Sequence, residues 1–168
     1  MTVVELSEKS GVGESVIAAV EAGDVYPALG VLVKLSRALG QRLGTFMDDQ
    51  YQPDPVIVRA DARTGEQATH KACTAGGFSY CPLGRGKTDR HMEPFYIDIA
   101  ADATAPLSSH EGEEFIVVVS GAVELVYGGV TQVLMPGDSA YYNSVVQHLV
   151  KASGAQPAAI YAVICMPL

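Results

Sequence analysis

In SSHEGEEFIVVVSG (residues 108–121), His110 is followed four residues later by Glu114, at the mouth of an apolar run closed by Gly121. Side chains an even number of residues apart on one strand project to the same face, so an imidazole and a carboxylate would meet there. Two readings fit: a solvated strand end carrying Glu111, Glu113 and Glu114, or part of a metal site. A second candidate is the run Arg85, Lys87 and Arg90 in GRGKTDR, the densest cationic stretch of an acidic chain. Those groups could form an anion-binding rim for a carboxylate or phosphonate, although the composition also fits a solvated loop.

These residues need a scaffold, and the composition allows one. The 168 residues are 48% apolar, enough for one domain or a small domain joined to a medium one. No run approaches eighteen apolar residues and no signal peptide opens the chain, so a cytoplasmic protein with no membrane partner is expected. Cys73, Cys81 and Cys165 are odd in number and show no CxxC spacing, which reads as reduced thiols. The net charge of −8 argues against a protein that coats nucleic acid.

Residues 1 to about 50 are helical in pattern. Leu6, Val16, Ile17, Val20, Leu29, Leu32, Leu35, Leu39 and Leu43 recur mostly at three- and four-residue steps, interrupted at GVG (11–13), GDVYP (23–27) and Gly40. YQPDP (51–55) reads as an extended linker. From VIVRA (56–60) onward the chain consists of short β-rich segments separated by turns such as GG (128–129) and PGD (136–138). They predict a sandwich or barrel, with IVVV and IYAVIC covered on both faces. The expected organisation is a helical unit over 1–50, a linker and lead-in strand over 51–74, and a β-barrel over 75–168.

The stretch VELSEKSGVGESVIAAVEAGDVYPALGVLVKLSRALG resembles the lambda-repressor-like (XRE-type) helix-turn-helix family. Leu6, Gly11, Val12, Ile17, Val20, Glu21, Gly23, Pro27, Leu32, Lys34, Leu35, Ala38, Leu39 and Gly40 fall in its register. The resemblance implies a supporting helix over 3–10 and a recognition helix from Glu14 to about Ala22. That family carries a further helix before this pair, whereas Met1 stands directly ahead of the supporting helix, so a module lacking its first helix is expected. The recognition helix offers DNA only Ser15 and acidic side chains, where base and phosphate contacts normally use Arg, Lys, Asn or Gln. Residues 1–50 hold seven acids and four bases, so little counterion release is available, and weak DNA binding is expected.

The β-rich part resembles the cupin family, whose jelly-roll barrel carries two metal motifs. Ser108, His110, Glu114 and Gly121 occupy the first, and Gly137 to His148 spans the second. The resemblance implies that His110, Glu114 and His148 are ligands to one divalent metal. Ser108 stands where the family has its first histidine, leaving three ligands. Two imidazoles and a carboxylate suit iron(II), and zinc, manganese or nickel would also accept them. Tyr80, Ser108, Tyr141 and Asn143, together with Tyr142, are the residues expected to face a small ligand in the barrel.

A helix-turn-helix followed by a cupin is the layout of a bacterial regulator group, and MEPF (92–95) and SHEGEEF (109–115) are similar to segments of it. The resemblance implies a homodimeric transcriptional regulator, an operator as DNA partner, and a small-molecule effector or metal in the barrel. The hydroxypropylphosphonate epoxidases, mononuclear iron enzymes, share the layout and a similar His-x3-Glu plus distant His set. They imply the alternative, a non-haem iron oxygenase acting on a small anion such as a phosphonate. No catalytic acid or base is evident.

Overall fold

The structure, a computed structural model, describes residues 1–25, 27–41, 43, 54–63, 76–87 and 90–166. Three helices come first: α1 (Val3–Ser10), α2 (Glu14–Glu21) and α3 (Leu29–Ala38). A capping box starts α1. The Thr2 hydroxyl accepts the Glu5 N–H at 3.2 Å, and the Glu5 carboxylate accepts the Thr2 N–H at 2.7 Å. Gly11, at φ 67°, ends α1 as a left-handed cap, and three residues later α2 begins. Both helices match the expected bounds to within a residue.

A small apolar cluster of Leu6, Val12, Ile17 and Leu35 holds the three helices together. The third helix has a second apolar side. Leu29, Leu32 and Val33, spaced by three and one, are buried in the large cluster that includes Phe95, Ile116 and Ile164 of the barrel. One helix therefore belongs to both cores.

Eight strands follow among the described residues: β1 (Phe78–Pro82), β2 (Met92–Ile99), β3 (Glu113–Ser120), β4 (Val123–Tyr127), β5 (Val130–Leu134), β6 (Ser139–Asn143), β7 (His148–Ala152) and β8 (Ala158–Cys165). They form two antiparallel sheets, β1-β2-β8-β3-β6 and β5-β4-β7. Alternate residues of β2, β3 and β8 fill the space between the sheets: Phe95, Ile97 and Ile99; Ile116 and Val118; Ile160, Ala162 and Ile164.

Two expectations need correction. VIVRA (56–60) forms no strand; β-branched composition makes a strand only where a partner strand is available. A 3-10 turn, Asp61–Arg63, follows it, and the Arg63 guanidinium lies 4.4 Å from the Tyr96 ring centroid and 5.4 Å from that of Tyr161, on the outer face of the larger sheet. Nor do the described residues cover β3 and β8 fully on both faces. Phe115, Val119 and Tyr161 are between 37% and 40% exposed. Among the described cysteines, Cys81 is buried and Cys165 exposed, both as free thiols. Cys73 and residues 51–53 of the proline-rich stretch lie outside the described residues. No described helix is long and apolar enough to cross a membrane.

Candidate metal centre

The loop ahead of β3 is zipped to the chain ahead of β7. Ser108 and His148 exchange two backbone hydrogen bonds, each 2.9 Å, and His110 N–H donates to the Ser144 carbonyl at 2.9 Å. Gly112 makes the return into β3 possible. It sits at φ 102°, and a Cβ there would lie 2.4 Å from the Cys165 carbonyl oxygen. His110 is thus not on the strand, as its parity with Glu114 predicts. It belongs to a loop that the Gly112 turn folds back over β3.

Glu114 is the centre of the arrangement. It lies on β3, opposite Tyr142 of β6 and Ile164 of β8. Its Oε1 is 2.8 Å from His110 Nε2 and 3.4 Å from His148 Nε2. Its Oε2 accepts the Tyr142 hydroxyl at 2.7 Å, and the Ser144 hydroxyl donates to Oε1 at 3.3 Å. Burial pushes the Glu114 carboxyl up, but the bonds from His110, His148 and Tyr142 outweigh it and hold its pKa below the usual carboxylate range. The same burial, with the Glu114 charge beside it, keeps the Tyr142 phenol protonated far above its ordinary value. His148 feels burial pushing it down, while the Glu114 carboxylate and the Val146 carbonyl raise it to a net value above 6.5.

The other ring nitrogens bear on what the cluster could hold. His110 Nδ1 is 3.1 Å from the Glu111 carbonyl, and His148 Nδ1 is 2.8 Å from the Val146 carbonyl. A carbonyl only accepts, so both rings carry their proton on Nδ1. With Nδ1 committed, Nε2 of each ring faces one carboxylate oxygen, an arrangement that needs a proton or a cation between the partners. One donor atom each from His110, Glu114 and His148 lie within 4.8 Å of one another. The residues fit a divalent ion: Nε2 donors, Nδ1–H fixed on backbone carbonyls and a carboxylate held by a phenol are what metal ligands and their outer partners require.

A cavity of about 300 Å3 opens over this cluster. Tyr80, Ser108 and the three clustered residues border it, among apolar walls that include Phe78, Ile97, Ile116 and Leu149. Burial pushes the Tyr80 phenol up to about 12, only partly offset by its hydrogen bond with the Leu29 backbone. The helical domain supplies the rest of the lining, with Gly11, Gly13 and Val16 around the start of α2 and Leu29, Gly30 and Lys34 on α3.

Two of the expected ligand-facing residues lie elsewhere. Tyr141 is 66% exposed and Asn143 is also exposed, both on the opposite face of β6, whereas Tyr142 between them is 6% exposed and faces Glu114. Tyr141 instead donates to Glu113 on the outer surface. Arg85, Lys87 and Arg90 do not border the cavity. Lys87 pairs with Asp54 at 2.8 Å, but the Arg90–Glu93 pair, at 2.7 Å, is largely buried, so Arg90 does not fit the solvated loop that the composition of GRGKTDR suggests. Ser15 is exposed on α2.

A family model described as a cupin domain matches residues 95–164, and one described as helix-turn-helix matches residues 1–46. The chain is a helix-turn-helix–cupin protein, homologous to XRE-type transcriptional regulators. The HTH-type transcriptional regulator PuuR of Escherichia coli (strain K12) is 26% identical to this helix-turn-helix–cupin protein over 147 residues, spanning 84% of this chain and 75% of that protein. An HTH_3 family transcriptional regulator from Vibrio cholerae shares the fold with a TM-score of 0.72 at 15% identity, covering 100% of this chain and 88% of that one. The Fe(II) form of HppE shares it with a TM-score of 0.54 at 24% identity, covering 98% of this chain and 90% of that one.

Proposed function

We propose that this helix-turn-helix–cupin protein is a cytoplasmic transcriptional regulator whose barrel binds one divalent metal through His110, Glu114 and His148 and responds to a small molecule held beside it. The observation that carries the metal reading is the pair of Nε2 atoms converging on one Glu114 oxygen, with both Nδ1–H groups committed to backbone carbonyls. Bound there, an ion would supply a Lewis-acidic point with open coordination positions. Iron(II) suits the donor set, and zinc, manganese or nickel would compete. Ser108, at the place of the family's first histidine, keeps the protein ligands at three.

The similarity to PuuR supports an operator as the DNA partner, with exposed Ser15 at the leading end of α2 among its contacts. The apolar outer face of β3 and β8, carrying Phe115, Val119 and Tyr161, supports a homodimer, which would match paired half-sites. Equilibrium dialysis tests the centre. About one ion per chain should be retained by the wild type, most of it lost in His148→Ala, a substantial share lost in Glu114→Gln, and little lost in Glu111→Gln. A wild type that retains no more metal than His148→Ala sinks the reading.

The second reading is a non-haem iron oxygenase acting on a small anion such as a phosphonate. Three protein ligands and a recognition helix without Lys or Arg favour it. Oxygen consumption by the iron-loaded protein with a phosphonate separates the two, because a sensor would consume none.

A further inference from the structure

The third helix of the DNA-binding module roofs the metal centre. Leu29, Leu32 and Val33 are buried in the barrel's apolar cluster, against which Tyr80 packs, and Leu29 and Tyr80 both border the cavity. Arg37, two turns further on, pairs with Glu111, whose carbonyl accepts from His110. Between these anchors stands Gly30. Its backbone is not among the positive-φ glycines, and helices disfavour glycine, so conformation does not explain the residue. Its surroundings set it against the cluster. A Cβ on Gly30 would lie 3.4 Å from His110 Cδ2, 3.5 Å from Ser108 Cβ and 3.6 Å from Ser108 Oγ. That Ser108 hydroxyl is itself 3.4 Å from His148 Nε2. Glycine therefore lets α3 approach the side of the cluster where Ser108 contributes only a hydroxyl, with room for no more than a methyl against His110, while Gly30 itself borders the cavity.

We propose that the effector site is shared by the two domains, and that Gly30 decides what can sit on the metal. The site takes a small organic anion, with a carboxylate-like group toward the metal and an apolar body against the barrel wall and α3. This inference rests on the metal centre proposed above. One protein carboxylate leaves a divalent ion with net positive charge, and Lys34 is the only Lys or Arg among the described residues of the lining. The remainder of the lining is mostly apolar, and about 300 Å3 matches the small end of ligand pockets. A methyl at position 30 would touch His110 in ordinary contact. A longer side chain would fill the ligand's space.

Cobalt(II) tests this, because its visible bands report the metal while added anions perturb them. Benzoate serves as the bulky probe and azide as the small one. In the wild type both should bind. Gly30→Leu should weaken benzoate by at least about tenfold, the scale of misfit by a few methylenes, and azide much less. Gly30→Ala, which fits in ordinary contact, should show a smaller loss of benzoate and guards against a misfolded leucine variant. Equal benzoate affinity in the wild type and a folded, cobalt-loaded Gly30→Leu would overturn the shared site while leaving the metal reading intact. Benzoate failing to bind wild-type cobalt protein would overturn the ligand class. No cobalt uptake by the wild type would instead overturn the metal centre, and this inference with it.

Discussion

The barrel mouth and the recognition helix treat charge in opposite ways. At the mouth, a carboxylate and two imidazoles are buried, with the Tyr142 hydroxyl and two backbone carbonyls on their outer atoms. On α2, the charged side chains Glu14 and Glu21 stand in solvent, and no cation accompanies them. Buried polar groups are costly unless satisfied, and the partners around Glu114 are what allow this cluster to stay buried. An exposed acidic helix costs nothing to keep and gains little from DNA. Chemistry is concentrated where burial makes it expensive.

The largest effect that sharpens this contrast is on Tyr142, an outer partner and not a ligand. Tyr142→Phe removes the hydroxyl on Glu114 Oε2 while keeping the ring, and metal affinity should fall by about 10–100-fold, measured by competition with a chelator. Unchanged affinity would show that the partnering at the mouth does not serve a metal.

The next effect is a reversal of sign with pH. In metal-free protein, His148 has a folded pKa above 6.5, so its contribution to stability is complete below that value and is lost as pH rises through the folded pKa. Glu114, depressed in the fold, contributes above its unfolded value near 4.5 and loses that contribution on acidification through its folded pKa. Metal binding competes with the histidine protons, so it strengthens as pH rises through the histidine range. Thermal unfolding from about pH 6 to 8 should show chelator-treated protein losing stability and metal-loaded protein gaining it relative to the chelated form. Parallel curves would break the link between the proton and the ion.

The smallest effect belongs to the helix. Ser15→Arg should steepen the salt dependence of DNA binding by about one phosphate contact, roughly threefold in affinity between 50 and 200 mM salt. Wild-type binding at physiological salt should be weaker than about 10⁻⁸ M, read by gel shift.

Much of the fold is legible in the residues themselves. The eight β segments from GFSYCP to AAIYAVICM declare themselves by composition and turn residues, and the helices by their three- and four-residue steps. The cluster of His110, Glu114 and His148 is legible through motif register, but the parity of His110 and Glu114 describes a strand that only begins at Glu113. Tyr142 was recoverable, since the residue opposite Glu114 shares its face, whereas proximity to His148 also suggests Tyr141 and Asn143. The exposed outer faces of β3 and β8 were not, because apolar residues do not reveal whether their cover comes from the same chain. The roof by α3 was not legible either. It rests on contacts between residues about eighty positions apart, and its one local sign is a glycine near the start of a helix.

The leading end of α2 has a consequence of its own. Gly11, Gly13 and Val16 form part of the cavity wall, beside the Ser15 that a DNA duplex would meet. Recognition helices of this type present their first residues to base edges. The surface that would read an operator is thus continuous with the surface that would sense an effector. Linkage then becomes arithmetic: any factor by which a molecule in the cavity changes operator affinity is the factor by which the operator changes affinity for that molecule. A tenfold loss of one, about 1.4 kcal/mol, is a tenfold loss of the other, and either titration measures the coupling.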